Sequence, residues 1–143
     1  MATAIGTRPL AASADPMASF KRWLTAAVVV DVVFGLVAII WPRWVTEFLH
    51  LGDVRPTIWV RMIGLYAIVL ALSFLPALII PLGSRILSIW ACKARFLFAI
   101  FFVFAAFNVA SGFWLVVAYD VILGLVLTMA FWRGFRTDLM SRP

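Results

Sequence analysis

Four apolar runs, Trp23–Trp41, Ile58–Leu75, Ile86–Phe107 and Phe113–Trp132, divide this chain. Each is close to the ~20 residues that carry a helix across ~30 Å of hydrocarbon. Lipid offers no hydrogen-bonding partner to backbone amides and carbonyls, so a span must satisfy its own, and in runs this long only a helix does so. Composition agrees: 66% of residues are hydrophobic and 13% are charged, where soluble domains hold roughly 45–50% and about 25%. The sequence therefore predicts an all-α fold, a four-transmembrane-helix bundle.

The first run is expected to remain as a span. Asp31 interrupts it, and no small-residue cleavage site precedes a polar mature start. Residues 1–19 mix Ala, Ser, Thr and Pro and read as a flexible tail. A membrane domain follows over 20–136, then a short second tail over 137–143. No connection is long enough for a soluble catalytic lobe.

The net charge is +6 and the isoelectric point about 10.8, yet the cations are not arranged for nucleic acid. With four spans, both termini and the second connection share one side, which holds Arg8, Lys21, Arg22, Arg85, Arg133, Arg136 and Arg142. The other side holds Arg43 and Arg55, with Arg61 just inside the second span. That asymmetry predicts cytoplasmic termini. Lys21, Arg22, Arg85, Lys93, Arg133 and Arg136 are expected at lipid headgroups. Trp23, Trp90 and Trp132 fall at that boundary, and Trp41, Trp44, Trp59 and Trp114 at the opposite one.

Trp41-Pro42 should end the first helix. Beyond it, Trp44, Val45, Phe48 and Leu49 alternate with Arg43, Glu47 and His50 at helical spacing. A short interfacial amphipathic helix between the first two spans is expected, with Trp44, Phe48 and His50 among its contacts. The second connection, Pro76 to Arg85, reads as a kinked extension of the second helix, and Asn108 to Gly112 as a tight turn.

Five ionisable residues fall inside the runs: Asp31, Arg61, Lys93, Arg95 and Asp120. A carboxylate at bilayer depth costs about 2.5 kcal/mol or more unless it is paired or faces a protected cavity. Asp31 opens Asp-Val-Val-Phe-Gly-Leu-Val and Asp120 opens Asp-Val-Ile-Leu-Gly-Leu-Val, so each has a glycine four residues on. Gly64 follows Arg61 by three. Close helix approach at these glycines would let the charges meet. Lys93 and Arg95 are two residues apart, about 200° around the helix. Arg95 shares its face with Ser88, Cys92, Ala99 and Ala106, and Lys93 shares its face with Ile86, Ile89 and Leu97. Arg95 is therefore expected inward, and Lys93 in lipid. The expected cluster is Asp31 and Asp120 against Arg61 and Arg95, with cancelling charges. Such a set reads first as a lock on helix register, with a proton or ligand site as the alternative.

Catalytic and metal signatures are missing. His50 is the only histidine and Cys92 the only cysteine, so neither has a second ligand or a resolving partner. There is no nucleophile–His–acid set and no Gly-rich phosphate loop. Catalytic residues and a bound metal are not expected, and an autonomous enzyme is disfavoured.

An aspartate in the first span, Trp41-Pro42 closing it, Trp59-x-Arg61-x-x-Gly64 opening the second, and Arg95 and Asp120 in the last two resemble the small DoxX-like four-helix membrane proteins over about Phe20 to Arg136. That resemblance implies the same architecture, and some DoxX-like proteins are subunits in quinone-dependent sulfur oxidation. The preferred expectation is a non-catalytic accessory subunit of the bacterial inner membrane, packed among lipids and the other subunits of a larger energy-converting or transport complex. Phe96, Phe98, Phe101, Phe102, Phe104 and Phe107 ring one helix and cannot all face three partners. They also suit a quinone or lipid cofactor, held by a quinone-linked redox subunit. A small proton-coupled transporter using Asp31 or Asp120 is the third expectation.

Overall fold

The structure, a computed structural model, describes residues 15–52 and 57–140. Among these it is helical without strands: α1 (Ala18–Ile40), α2 (Pro42–Phe48), α3 (Ile58–Ser73), α4 (Leu75–Ile79), α5 (Arg85–Asn108) and α6 (Phe113–Met140). Counting α3 and α4 together, four helical segments are long and apolar enough to cross a membrane. Large apolar side chains cover the outside, including Ile86, Ile100, Phe101, Phe104 and Phe107 along α5. Water would not tolerate such a surface, which suits a multi-pass membrane protein.

The breaks follow the prolines. Trp41 ends α1, its N–H donating to Val37 O at 2.8 Å, and Pro42 opens α2, where its missing donor costs nothing. Pro76 cannot donate into the preceding turn, so the ladder tightens at Phe74 and separates α3 from α4.

Val45 of α2 and Leu49 just past its end turn inward onto Ala38 and Val60, while Trp44 and Phe48 stay outside and stack with ring centroids 5.2 Å apart. The two i, i+4 pairs are neighbouring stripes about 100° apart, and the aliphatic pair is the one buried. His50 then takes a left-handed backbone, φ 52°. Its N–H donates to Glu47 O and the Leu51 N–H donates to Thr46 O, at 3.0 and 2.8 Å. That is the helix-ending arrangement usually given to glycine, so His50 works as a turn residue on the surface.

Two ends of the chain differ from the sequence expectation. Helix α1 begins at Ala18, and Met17 and Phe20 are buried in the main core. Residues 15–19 thus belong to the bundle, because Met17 and Pro16 pack onto Gly134. Helix α6 continues to Met140, beyond the apolar run and into the expected second tail, because its main-chain ladder runs on past Arg133 and Arg136. Residues 1–14, 53–56 and 141–143, with Arg8, Arg55 and Arg142, lie outside the described residues.

Two glycine contacts set the packing. A Cβ on Gly35 would lie 2.6 Å from Gly64 O, and one on Gly64 would lie 2.6 Å from Gly35 O. Helices α1 and α3 therefore cross backbone to backbone. On the other side, a Cβ on Gly124 of α6 would lie 3.2 Å from Arg95 Cβ of α5. Helices α1 and α6 are the inner pair, with α3 flanking α1 and α5 flanking α6; among the described residues the backbones of α3 and α5 do not approach, while α4, the continuation of α3, packs on α5 and closes the bundle at that end. One apolar core joins Phe20, Leu24, Leu127 and Phe131, and a second joins Ala38, Val45, Leu49 and Val60. A polar layer separates them.

Candidate functional site

Three of the charged residues meet in that layer. Asp31 comes from α1, Arg95 from α5 and Asp120 from α6. Arg95 Nη1 donates to Asp120 Oδ1 at 3.0 Å and to Asp31 Oδ1 at 3.2 Å, while Nη2 donates to Asp31 Oδ2. The Arg95 and Asp31 pair is thus two-pronged, the planar geometry that suits guanidinium and carboxylate. The three side chains are 7%, 13% and 5% exposed, in the order Arg95, Asp31, Asp120. At such burial an unpaired charge would be expensive, and the pairing is what makes the site tolerable.

The glycines position these groups. Gly124 is one turn beyond Asp120 and admits the stem of Arg95 against α6. Gly35 is one turn beyond Asp31 and draws α3 onto α1. The repeated Asp-x-x-x-Gly spacing thus places each carboxylate one turn from a close helix contact, although the two glycines serve different neighbours.

Tyr119 is a fourth member that the charge pattern did not reveal. Its hydroxyl donates to Asp31 Oδ1 at 3.3 Å, and Arg95 Cζ is 5.6 Å from its ring centroid. The available signal was a phenol next to Asp120 within an apolar run, a polar handle that needs a partner.

Arg61 is not in the cluster. It is exposed and borders a separate groove with Trp41, Pro42, Arg43 and Trp44. Helical phase explains this. Tyr66, Ala67 and Leu70 form the inner, cavity-facing side of α3, and Arg61 is ~120–180° away from them. Its length cannot compensate for a direction that leads out of the bundle. Lys93 is likewise exposed, on the side of α5 away from Arg95. Without Arg61, two carboxylates face one guanidinium, and the set has a formal charge of −1. Neutrality requires one more positive charge or a proton shared by the carboxylates.

Space for it exists. A cavity of about 280 Å³ lies between α3 and α5, where the two backbones stay apart. Asp31, Arg95, Tyr119 and Asp120 form its polar end, and Phe34, Tyr66, Leu70, Phe98 and Phe102 are among its walls. Tyr66 and Phe98, both lining it, meet edge to face with centroids 6.5 Å apart. Phe48 of α2 reaches its rim.

The cations expected at headgroups are spread over the surface. Arg22, Arg133 and Arg136 are exposed. Lys21 pairs with Asp15 at 2.7 Å. Arg85 Nε donates to Leu82 O at 3.2 Å, and its guanidinium carbon is 5.5 Å from the Phe135 ring centroid. Cys92 is buried in the main core. Among the described residues, no three His, Cys, Asp or Glu side chains gather as a metal site would require. Comparison of the chain with protein-family models, with curated proteins and with solved structures finds no match.

Proposed function

We propose that this chain is a multi-pass protein of a bacterial inner membrane, with both termini cytoplasmic, whose central cavity binds the head of a hydrophobic quinone or quinol. In this reading it serves as a non-catalytic subunit of a larger membrane complex and has no turnover of its own. The observation that carries it is an apolar cavity with one polar end, built from Arg95, Asp31, Asp120 and Tyr119. Such a site suits a ligand with a greasy body and a hydrogen-bonding head. Arg95 offers donors to a quinone carbonyl, and the aspartate oxygens accept from a quinol hydroxyl. A ligand of this kind enters from the bilayer, and a gap between two helices gives it a way in. The DoxX-like resemblance points the same way.

A pure register lock accounts for less. A lock would be charge-balanced and enclosed by packed side chains. Here the set has a carboxylate in excess and one face on a void.

The test uses the purified full chain in mild detergent, titrated with a short-chain benzoquinone while tryptophan emission is followed. Saturable binding near one per chain is expected, and quinone should appear in a solvent extract of freshly purified protein. Ala67→Phe fills the cavity from α3 without touching the ion pairs, so it should abolish binding and leave helix content unchanged. If wild type does not bind, or Ala67→Phe binds equally well, the reading fails.

The charge count favours one second reading, a small proton-coupled transporter. Proton movement in proteoliposomes that requires substrate and is lost in Asp31→Asn or Asp120→Asn would favour it over the quinone site.

A further inference from the structure

The groove that takes Arg61 away from the cluster has a chemistry of its own. It measures about 410 Å³ and lies between the end of α1, the start of α2 and the first turn of α3. Arg43 and Arg61 both border it, from different helices. Few cations fall on this side of the chain, so bringing two of them to one groove runs against the charge asymmetry. No carboxylate among the described residues borders it, and neither guanidinium has an ion pair there. Glu47, one turn along α2 from Arg43, is not part of the groove. Two like charges held at one groove repel, and an anion between them turns that cost into attraction.

The remaining walls narrow the anion's class. Trp41 and Trp44 flank the arginines, and the Thr57 side chain completes the polar side. Ile40 and Pro42 add apolar lining. Guanidinium groups bind phosphate oxygens in a two-pronged fashion, and indoles favour the boundary between headgroup and hydrocarbon. We infer that this groove is a phosphate-binding site, occupied by the phosphate of an anionic phospholipid or by a soluble phosphate. It depends on the membrane reading only for the lipid source, and on the quinone site not at all.

Arginine modification by phenylglyoxal, mapped by mass spectrometry, tests the site on the wild-type chain. The purified protein is compared with and without dioleoyl phosphatidylglycerol, inorganic phosphate or dioleoylglycerol. Slowing at Arg43 and Arg61 well beyond that at the headgroup-facing Arg22 and Arg136 is the expected result. Protection by the phospholipid alone assigns a lipid, and equal protection by inorganic phosphate assigns a soluble source. The inference is overturned if neither phosphate compound protects. It is also overturned if dioleoylglycerol protects as well, or if all four arginines are slowed alike. As a second measurement, native mass spectrometry of the Arg43→Gln/Arg61→Gln chain should show phosphatidylglycerol affinity reduced roughly tenfold or more. Unchanged affinity there refutes the site.

Discussion

Replacing Arg95 by methionine is the perturbation that asks most of the polar layer. Methionine keeps the length of the stem and removes the charge. Arg95 donates three hydrogen bonds, two to Asp31 and one to Asp120. At about 1.5–3 kcal/mol for each charge-assisted bond, the gross loss is roughly 5–9 kcal/mol. Part of it returns, because the guanidinium no longer has to be desolvated. Two buried carboxylates are nevertheless left facing each other, and breaking a buried pair in this way costs about 3–5 kcal/mol. A net loss near 4 kcal/mol is therefore expected, about a thousandfold in the folding equilibrium. The assay is denaturant unfolding of the detergent-solubilised chain, followed by tryptophan emission. The decisive companion is the triple variant Asp31→Asn/Arg95→Met/Asp120→Asn, which removes every charge of the set. It should recover most of the lost stability, since neutral amides of the same shape remove the orphaned charges. If Arg95→Met unfolds within about 1 kcal/mol of wild type, or the triple variant is no better than the single one, orphaned charge is not what governs this layer.

Three further outcomes are expected. Gly64→Val forces a side chain onto Gly35 O at 2.6 Å and Ala38 Cβ at 2.8 Å, and should cost about 1–3 kcal/mol through separation of α1 and α3, read as a lower unfolding midpoint. Tyr119→Phe removes one hydrogen bond to Asp31, so it should cost only about 1 kcal/mol in the same assay while weakening quinone binding more. Asp15 is held below its ordinary carboxylate value of 3.8 by the Lys21 side chain and then by the Met17 N–H. Its contribution is complete above that value and lost as pH falls through the lower, folded-state value. Amide exchange at Lys21, compared with Asp15→Asn at each pH, should therefore converge with the variant only in strong acid.

The four spans could be read from the chain because apolar length is a direct physical requirement of a bilayer, and Pro42 and Pro76 mark breaks by what they cannot donate. Arg95, Asp31 and Asp120 were also legible, through helical phase and the glycine one turn beyond each aspartate. Arg61 was not. Its depth and charge suited the cluster, but the direction of its side chain depends on which face of α3 meets α1, and Gly64 decides that through a contact with Gly35 that no local pattern encodes. Tyr119 stayed hidden for a related reason, since its partner Asp31 is 88 positions away. The cavity depends on the absence of contact between two helices, which periodicity cannot express.

The ion pair across α1 and α5 joins residues 64 positions apart, and that separation is also an interval of time. Chains emerge at about 5–20 residues per second, so Asp31 precedes Arg95 from the ribosome by roughly 3–13 s. Throughout that interval the first hairpin exists without its counter-charge. A buried carboxylate without that partner is costly, so the polar layer can form only once the third span arrives. Completion of the polar layer is then the step that commits the first helix to its final depth.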